Sequence, residues 1–313
     1  MNFAVSLPPH TLLNLFSLLC LFFVPPLMVG TIRKTKAHLQ NRVGAPVWQP
    51  ILDMIKLLRK RETVSGTTTW IFRFSAASLI SIAIVLAIMA PWVAPKVSFG
   101  SCDIFVIVYL LAAFRFFTLL LSLDTASPFG TFAASREATL SILVEPAIVL
   151  SLAALAVQAH TSDLNVVFNQ LGAGNAILFA MSGAALLIAS LVDLSRMPID
   201  DPTTHLELTM VHEALILEAS GKNLALIELA GWLKLSIMLG LSCQCFLHAL
   251  PRIQNPILGS ACSLVALAVM GVGLGIFESL SVKLHWRKTP EFIAYALTLA
   301  FVAAFASLGV GTL

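Results

Sequence analysis

The chain has 313 residues, of which 58% are hydrophobic and only 11% are charged, and its mean hydropathy is +0.92. A soluble domain is about 25% charged, so this chain has too few charges to cover a water-facing surface. The composition excludes a soluble enzyme, a disordered chain and a nucleic-acid binder that contacts phosphates through a basic face. Its apolar stretches run for about 20 residues without alternation, which predicts an all-α polytopic membrane protein and excludes a β-barrel.

Eight stretches are long and apolar enough to cross a hydrocarbon layer about 30 Å thick. The segment Leu164–Gly174 is apolar but interrupted by amides, which predicts a loop or a short interfacial helix. We expect a single transmembrane domain over residues 1–313 and no soluble domain. The predicted spans are, in chain order, Leu12–Gly30, Phe74–Val93, Asp103–Leu123, Ala138–Ala159, Asn175–Val192, Leu224–Leu247, Ile257–Phe277 and Phe292–Leu313.

The basic residues are concentrated in the loops that follow the odd-numbered spans. These loops, at about 31–73, 124–137, 193–223 and 279–291, hold fifteen of the nineteen Lys and Arg residues. Because such loops face the cytoplasm, both termini are predicted to face outward. The first span has no positive segment before it and positive residues after it, which is typical of an uncleaved anchor rather than a signal peptide.

The first cytoplasmic loop contains an amphipathic segment. Ile51, Ile55 and Leu58 fall on one face of a helix, whereas Lys56 and Arg59 fall largely elsewhere. This pattern predicts a helix lying at the membrane surface. It either anchors the loop to the interface or provides a docking platform for a soluble partner.

Three charged residues, Arg115, Glu145 and Lys234, lie deep inside predicted spans, where each costs about 2.5–3.5 kcal/mol on insertion scales. Arg115 and Glu145 each lie about 12 Å from the cytoplasmic end of adjacent antiparallel spans, so they are predicted to meet as a pair. The pair is either a buried structural contact or a site where Glu145 exchanges an ion or proton and Arg115 tunes its proton affinity. Lys234 lies near mid-depth and requires a carboxylate partner or a neutral form.

The remaining charges near the membrane are confined to the cytoplasmic half of the spans. Each of them taken singly is also consistent with a solvated helix end, but the outer half has almost none. This asymmetry predicts a polar half-channel open to the cytoplasm, from which an ion leaves sideways into a neighbouring subunit. The residues concerned are Asp193, Glu228 and Glu278 at span ends and Asp124, Arg136 and Glu137 around the second of these loops.

The third cytoplasmic loop, from Ser195 to Lys222, carries two histidines. Thr203 or Thr204 is a candidate helix cap, after which His205, Thr209 and His212 share one face. Glu207 lies well round from them, and no second acidic ligand shares their face, so the pattern does not favour a metal site. These histidines are predicted to be solvated or to line the polar path.

The sequence contains no signature of independent redox or nucleotide chemistry. Five cysteines are present, but their spacing does not match a cluster or zinc motif, so we expect them to pack and the chain to carry no cofactor. Walker A, G-x-G-x-x-G, G-x-S-x-G, HExxH and CxxC motifs are absent. Gly271 and Gly275 form a G-x-x-x-G, which indicates close helix packing in the seventh span.

Several motifs together resemble the membrane-anchor subunit family shared by respiratory complex I (bacterial NADH–quinone oxidoreductase) and group 4 membrane-bound hydrogenases, including formate hydrogenlyase. The similarity covers most of the chain and is closest to the hydrogenase branch. The first loop contributes Gln40-Asn41-Arg42-Val43-Gly44-Ala45-Pro46 and Asp53-x-x-Lys56-Leu57. The most specific run is Phe114-Arg115-Phe116-Phe117, Leu123-Asp124-Thr125-Ala126-Ser127-Pro128-Phe129, Ala134-Ser135-Arg136-Glu137 and Leu143-Val144-Glu145-Pro146.

The resemblance implies a non-catalytic membrane subunit of an ion-translocating redox complex in the prokaryotic inner membrane. Such a subunit anchors a hydrophilic arm that carries iron–sulfur clusters and a [NiFe]-type or quinone-reducing centre, and it connects that arm to antiporter-like subunits. Five acidic residues match positions of the family's charged path: Glu145, Asp193, Asp200, Glu207 and Glu218. We add Arg115, His205, Glu228, Lys234 and Glu278 to the predicted path, and assign Arg42, Asp53, Lys56, Asp124, Arg136 and Glu137 to partner interfaces.

One stretch departs from the family pattern. The third cytoplasmic loop usually reads close to P-F-D-x-x-E-x-E-x-E, whereas Thr203 and His205 replace two of its glutamates here. An unperturbed histidine has a pKa of about 6.5, so His205 is a candidate replacement in a proton path. The change argues against quinone binding.

Two rival interpretations make distinct predictions. A stand-alone transporter or channel would move ions when this chain is reconstituted alone. A purely structural anchor would keep ion pumping intact after replacement of Glu145 or Arg115, with harm only to assembly.

Overall fold

We describe a computed structural model, which covers residues 9–93, 102–200, 211–250 and 256–309. Within these ranges the chain forms eleven α-helices and no strand, apart from one isolated bridge between Asp103 and Asp163. Eight of the helices are long and apolar enough to span a membrane, which confirms the predicted all-α architecture. These eight are α1 (Pro9–Leu39), α3 (Trp70–Met89), α4 (Ile104–Asp124), α5 (Pro128–Ala159), α7 (Ala176–Asp193), α9 (Gly221–His248), α10 (Pro256–Leu280) and α11 (Thr289–Gly309).

The three shorter helices lie between the spanning ones. The predicted amphipathic helix is present as α2 (Gln49–Arg59), whose Leu52 and Ile55 side chains are exposed. The amide-interrupted segment forms a short helix, α6 (Leu164–Gln170), capped by the side chain of Asp163. The last is the single turn α8 (His212–Leu215).

Helix α9 is the centre of the bundle. It packs against α1, α2, α3, α7 and α10, and every residue from Trp232 to Cys245 is buried. A helix that is apolar all round is typical of such a fully surrounded position. Helices α5, α7 and α11 pack against one another on one side of α9, and α3 and α4 pack together on another.

Two helices extend nine or ten residues past a predicted boundary, more than the other spanning helices do. Helix α1 continues past Gly30 to Leu39, and α5 begins at Pro128 rather than Ala138. The extra turns carry Lys36 and Glu137, which hydropathy had assigned to loops; these assignments were wrong. Charged residues such as Lys and Glu are good helix formers, so a helix continues where its hydropathy signal ends.

The start of α3 also differs from its predicted boundary, by four residues. Thr69 caps the helix by accepting a hydrogen bond from the Ile71 amide, and the Asp124 carboxylate accepts bonds from the amides of Thr69 and Phe72. At the other end, Pro91 follows the C-cap Ala90, where the residue before a proline leaves the helical region.

Long-range contacts gather four connecting segments at one end of the bundle. The Thr67 hydroxyl donates to the Thr125 carbonyl over 2.9 Å, Ser220 bonds to Thr63, and the Leu284 amide donates to the Pro198 carbonyl over 2.7 Å. We call this region the charged end; its described connecting segments are 40–69, 125–127, 194–200 together with 211–220, and 281–288. Helices α1 and α11 both have their far ends, Pro9 and Gly309, on the opposite side.

The G-x-x-x-G motif packs within the chain. A Cβ atom added at Gly271 would lie 3.0 Å from the Met28 sulfur, and one added at Gly275 would lie 2.9 Å from Thr35 Cβ. The two glycines therefore allow α10 to approach α1 closely, as the motif predicts.

Candidate functional site

Four charged residues from four helices meet inside the bundle. Arg115 of α4 lies between two carboxylates: its Nε is 2.7 Å from Asp193 Oδ1, and its Nη1 is 3.3 Å from Glu145 Oε2. The Lys234 Nζ lies 2.9 Å from the second oxygen of Asp193 and donates to the Asp193 carbonyl over 3.1 Å. We call these four residues the Arg115 cluster.

The Arg115 cluster balances its own charge. It holds two basic and two acidic side chains, and Arg115, Asp193 and Lys234 are buried. The predicted Arg115–Glu145 pair is present, and the carboxylate partner predicted for Lys234 is Asp193. The prediction of a solvated helix end is wrong for Asp193, because its side chain is fully buried. Lys234 also lies 5.0 Å from the centre of the Phe114 ring, a cation–π contact.

A second buried group surrounds Glu278 near the end of α10. Its carboxylate is 3.0 Å from Lys36 Nζ of α1 and 3.3 Å from Arg196 Nη1, and the Glu278 side chain is fully buried. We call these three residues the Glu278 cluster. The interpretation of Glu278 as a solvated helix end is therefore also wrong.

Asp200, another residue of the predicted path, holds backbone segments together at the charged end. One carboxylate oxygen lies 2.7 Å from Lys283 Nζ, and the other accepts hydrogen bonds from the amides of Val211 and His212. The Asp200 carboxylate thus holds together the two sides of the loop between α7 and α9. His205 and Glu207 lie outside the described residues.

A cavity of about 740 Å³ connects the two clusters. Its wall includes Arg115, Asp193 and Lys234 from the first cluster and all of the second, together with Glu137, Glu228 and His212. Leu79, Phe114 and Trp232 form part of its apolar surface. Ionisable groups therefore face a shared, partly open cavity within an otherwise apolar bundle.

Glu137 belongs to this cavity and not to an exposed partner surface. Its side chain is buried, and the Ser195 hydroxyl donates to its Oε2 over 3.1 Å. Glu137 was assigned to a partner interface because its sequence context was interpreted as a loop. Its helical position on α5 turns it inward, so that assignment was wrong.

The other predicted interface residues remain at or near the surface. Arg42 and Lys56 are exposed, and Arg42 also lines the cavity. Asp53 accepts a hydrogen bond from Gln49 over 2.8 Å. Arg136 lies 4.1 Å from the centre of the Phe132 ring and 5.4 Å from that of Trp286, so it connects α5 with the segment before α11.

Glu218 is set apart from the other predicted path residues. It is exposed and does not line the cavity, whereas Glu228 is half-buried and does. The structure therefore brings Glu228 to the candidate site and leaves Glu218 outside it.

Three residues that contact the buried carboxylates were not predicted from the sequence. Lys36 and Arg196 contact Glu278, and Ser195 contacts Glu137. Lys36 was counted only as part of the basic loop. Its spacing from Val29 and Ile32 continues the buried stripe of α1 at the helical period, and this signal could have indicated a cation aimed into the bundle. Arg196 and Ser195 lie in a connecting segment, where no periodicity gives their direction.

Within the described ranges, no group of three or more His, Cys, Asp or Glu side chains is arranged to hold a metal ion. Four of the five cysteines are buried. At the end of the bundle opposite the charged end, burial and the neighbouring carboxylates of Asp163 and Asp103 raise the pKa of the Cys102 thiol to about 12. Its reactive thiolate form is therefore scarce at neutral pH.

The chain is similar to several known proteins over most of its length. Residues 12–309 match the family described as NADH dehydrogenase. The chain is 35% identical to hydrogenase-4 component C of Escherichia coli over 252 residues, which cover 80% of this chain and 78% of that protein. It is 28% identical to formate hydrogenlyase subunit 4 of Escherichia coli over 305 residues, or 96% of this chain and 86% of that protein.

A solved structure shares the fold. It is a chain from the membrane-bound sulfane sulfur reductase, an archaeal respiratory membrane complex, with a TM-score of 0.77 and 17% sequence identity. The match covers 96% of the present chain and 100% of the archaeal one. At this identity the likeness concerns the arrangement of helices alone.

Proposed function

Since this chain belongs to the NADH dehydrogenase family, as a membrane subunit of the complex I and group 4 hydrogenase type, we propose that it couples a redox reaction to ion movement. In this proposal it anchors a hydrophilic electron-transfer arm at the charged end, which faces the cytoplasm, and both termini lie on the outer side of the inner membrane. Within the membrane, the chain transmits the effect of the redox reaction to antiporter-like subunits. The names of its Escherichia coli relatives, both hydrogenase components, support this setting.

The observation that carries the proposal is the cavity between the two charged clusters. The cavity wall carries Glu137, Glu228 and Glu278 together with three residues of the Arg115 cluster, so an ion or proton in the cavity borders several ionisable groups. Ionisable groups inside a span are costly and are usually retained for ion or proton transfer. A single cavity lined by several such groups supports a transfer path rather than scattered structural pairs.

The cofactors belong to the partner subunits in this proposal. The hydrophilic arm carries iron–sulfur clusters and, if the complex is a hydrogenase, a [NiFe] centre. In this proposal the residues of this chain only position the partner subunits and transfer ions or protons.

A purely structural anchor is the second candidate function. It is favoured by the geometry of Asp193, whose two oxygens both lie against fixed cations. Glu137 can distinguish between the two candidate functions. It is buried on the cavity wall, and its hydrogen bond comes from a neutral hydroxyl and not from a fixed cation.

Replacing Glu137 with glutamine is expected to uncouple ion movement from electron transfer. The amide keeps the shape of the side chain and can accept the Ser195 hydrogen bond, but it cannot take up a proton or neutralise a cation. We expect at least a tenfold decrease in ions moved per electron in proteoliposomes of the purified complex, with assembly retained. Glu291→Gln is the matched control, since Glu291 is exposed at the start of α11. Unchanged ion movement in Glu137→Gln would favour the structural anchor.

Purification of the tagged chain in a mild detergent tests the proposed partners. We expect antiporter-like membrane subunits and iron-bearing soluble subunits to co-purify, as identified by mass spectrometry and metal analysis. Nickel in the same preparation would indicate hydrogenase chemistry, whereas the same subunits without nickel would indicate another redox reaction. A chain that purifies alone and moves ions in liposomes would refute the proposal in favour of a stand-alone transporter.

A further inference from the structure

We infer that helix α2 lies within the lipid leaflet at the charged end and binds the headgroups of anionic phospholipids through Lys56, Arg59 and Lys60. The amphipathic pattern in the sequence left two alternatives for this helix, an anchor at the membrane surface and a docking platform for a soluble partner. The inference selects the anchor and names the lipid chemistry that the helix recognises. It does not depend on ion transfer by this chain.

The start of α2 lies beside α1 at the level where α1 changes from apolar to charged. A Cβ atom added at Gly30 would collide with the Val47 carbonyl oxygen, so the backbone just before α2 contacts α1 directly at this glycine. Gly30 ends the apolar stretch of α1, and Arg33, about one turn later, is the first Lys or Arg of that helix. A change of this kind in a spanning helix marks the boundary between hydrocarbon and headgroups.

The other end of α2 lies beside the corresponding boundary of α9. A Cβ atom added at Gly221, the first residue of α9, would lie 2.8 Å from the Arg61 carbonyl oxygen, and Arg61 follows the end of α2 by two residues. The apolar stretch of α9 begins at Leu224. Since both ends of α2 lie beside such boundaries, the helix runs along the surface of the membrane, as interfacial amphipathic helices do.

The face of α2 that points away from the bundle is apolar. Trp48, the residue before the helix, is 60% exposed, and Leu52 and Ile55 are exposed one and two turns later, whereas Met54 packs against the core. Exposed apolar area of this kind is unfavourable in water. It is favourable at the level of the headgroups, where tryptophan is enriched because its ring is apolar and its N–H is polar. Trp70, the first residue of α3, is exposed at the same end of the bundle.

The basic residues of α2 and of the position after it have no acidic partner in the part of the chain that the structure describes. Lys56, Arg59 and Lys60 are exposed, and none of them forms a salt bridge with a described residue. The two nearest acidic residues in sequence are already engaged, because Asp53 accepts a hydrogen bond within α2 and Glu62 forms a salt bridge with α3. An anionic group from outside the chain is therefore the partner that these cations lack.

Phospholipid phosphate is the anion that this level of the membrane provides. Lys56 and Arg59 each follow an exposed apolar residue by four positions, so they border the apolar stripe on the same side of the helix. Long basic side chains reach from such a position to the phosphate layer while their stems stay in apolar surroundings. Each basic residue near an anionic leaflet increases affinity about fivefold, so three of them give a strong preference over zwitterionic lipid. A soluble subunit lies on the water side of the headgroups and does not reach the apolar stripe.

Site-specific photocrosslinking in vesicles of defined composition tests the inference. The full chain with its co-purifying subunits is reconstituted into equal amounts of phosphatidylglycerol and phosphatidylcholine, with benzoylphenylalanine at Ile55. Val85 of α3 is the matched control, since both positions are 43% exposed and Val85 lies within an apolar span. Mass spectrometry is expected to find at least fivefold more phosphatidylglycerol than phosphatidylcholine adduct at Ile55, and a ratio within twofold of one at Val85.

A charge-removal variant tests the basic residues themselves. With Lys56→Gln, Arg59→Gln and Lys60→Gln combined, the Ile55 probe should still form lipid adducts, because the apolar stripe is intact, but the preference for phosphatidylglycerol should decrease to less than twofold.

The control variant removes three exposed charges elsewhere at the charged end and should keep the preference; it combines Lys34→Gln, Arg287→Gln and Lys288→Gln. Equal adducts of the two lipids at Ile55 in the parent protein, or a preference that survives the charge-removal variant, would overturn the inference. An Ile55 adduct with a soluble subunit in place of lipid would overturn it in favour of the docking platform.

Discussion

Replacement of Asp193 with asparagine is expected to destabilise the membrane domain by about 3–5 kcal/mol, the usual cost of removing one partner from a buried ion pair. Asp193 forms ion pairs with both Arg115 and Lys234. Its loss leaves two buried cations, of which Arg115 still pairs with Glu145. The cost arises from these uncompensated charges rather than from a lost contact alone.

The prediction can be measured by titrating the purified chain in mixed micelles with sodium dodecyl sulfate and following helix content. Glu291→Gln, which removes an exposed carboxylate, should change stability by less than about 0.5–1 kcal/mol. Adding Lys234→Met to Asp193→Asn should recover part of the loss, because it removes one of the unpaired cations. An Asp193→Asn variant as stable as the parent would show that the cluster does not hold the helices together.

Substitution of Gly275 with leucine is expected to separate α1 from α10 and to prevent stable assembly. Even a single Cβ at this position would lie 2.9 Å from Thr35 Cβ and 3.2 Å from the Ile32 carbonyl oxygen. Overpacking of this kind costs about 1–3 kcal/mol or more. It also moves apart the helices that carry Lys36 and Glu278, which are 3.0 Å apart, so the Glu278 cluster is disrupted as well.

Gly273 provides a control on the same helix. An added Cβ there meets no atom within 4 Å, and the residue is exposed. Gly273→Leu should therefore fold normally and gain slightly in helix propensity. The yield of monodisperse protein after detergent extraction compares the two variants. Equal yields would mean that the α1–α10 contact is not needed for folding.

The amino-acid sequence determined the number and approximate position of the spanning helices. Hydropathy is a local property, and its largest errors lie where a helix leaves the apolar layer, as at Lys36 in α1 and Glu137 in α5. The Arg115–Glu145 pair was also predictable, because the two residues lie at similar depth on consecutive antiparallel spans. The motifs around them were enough to indicate the family.

Only the tertiary structure decided which charges share a site. Asp193 could not be assigned to Arg115 and Lys234 from sequence, since α4, α7 and α9 are distant along the chain and their relative rotation depends on packing. The same holds for Lys36 and Glu278, joined by the close approach of α1 and α10. Local sequence sets the depth of a residue in the membrane through the helix rise, whereas side-chain packing between helices sets the direction in which it points.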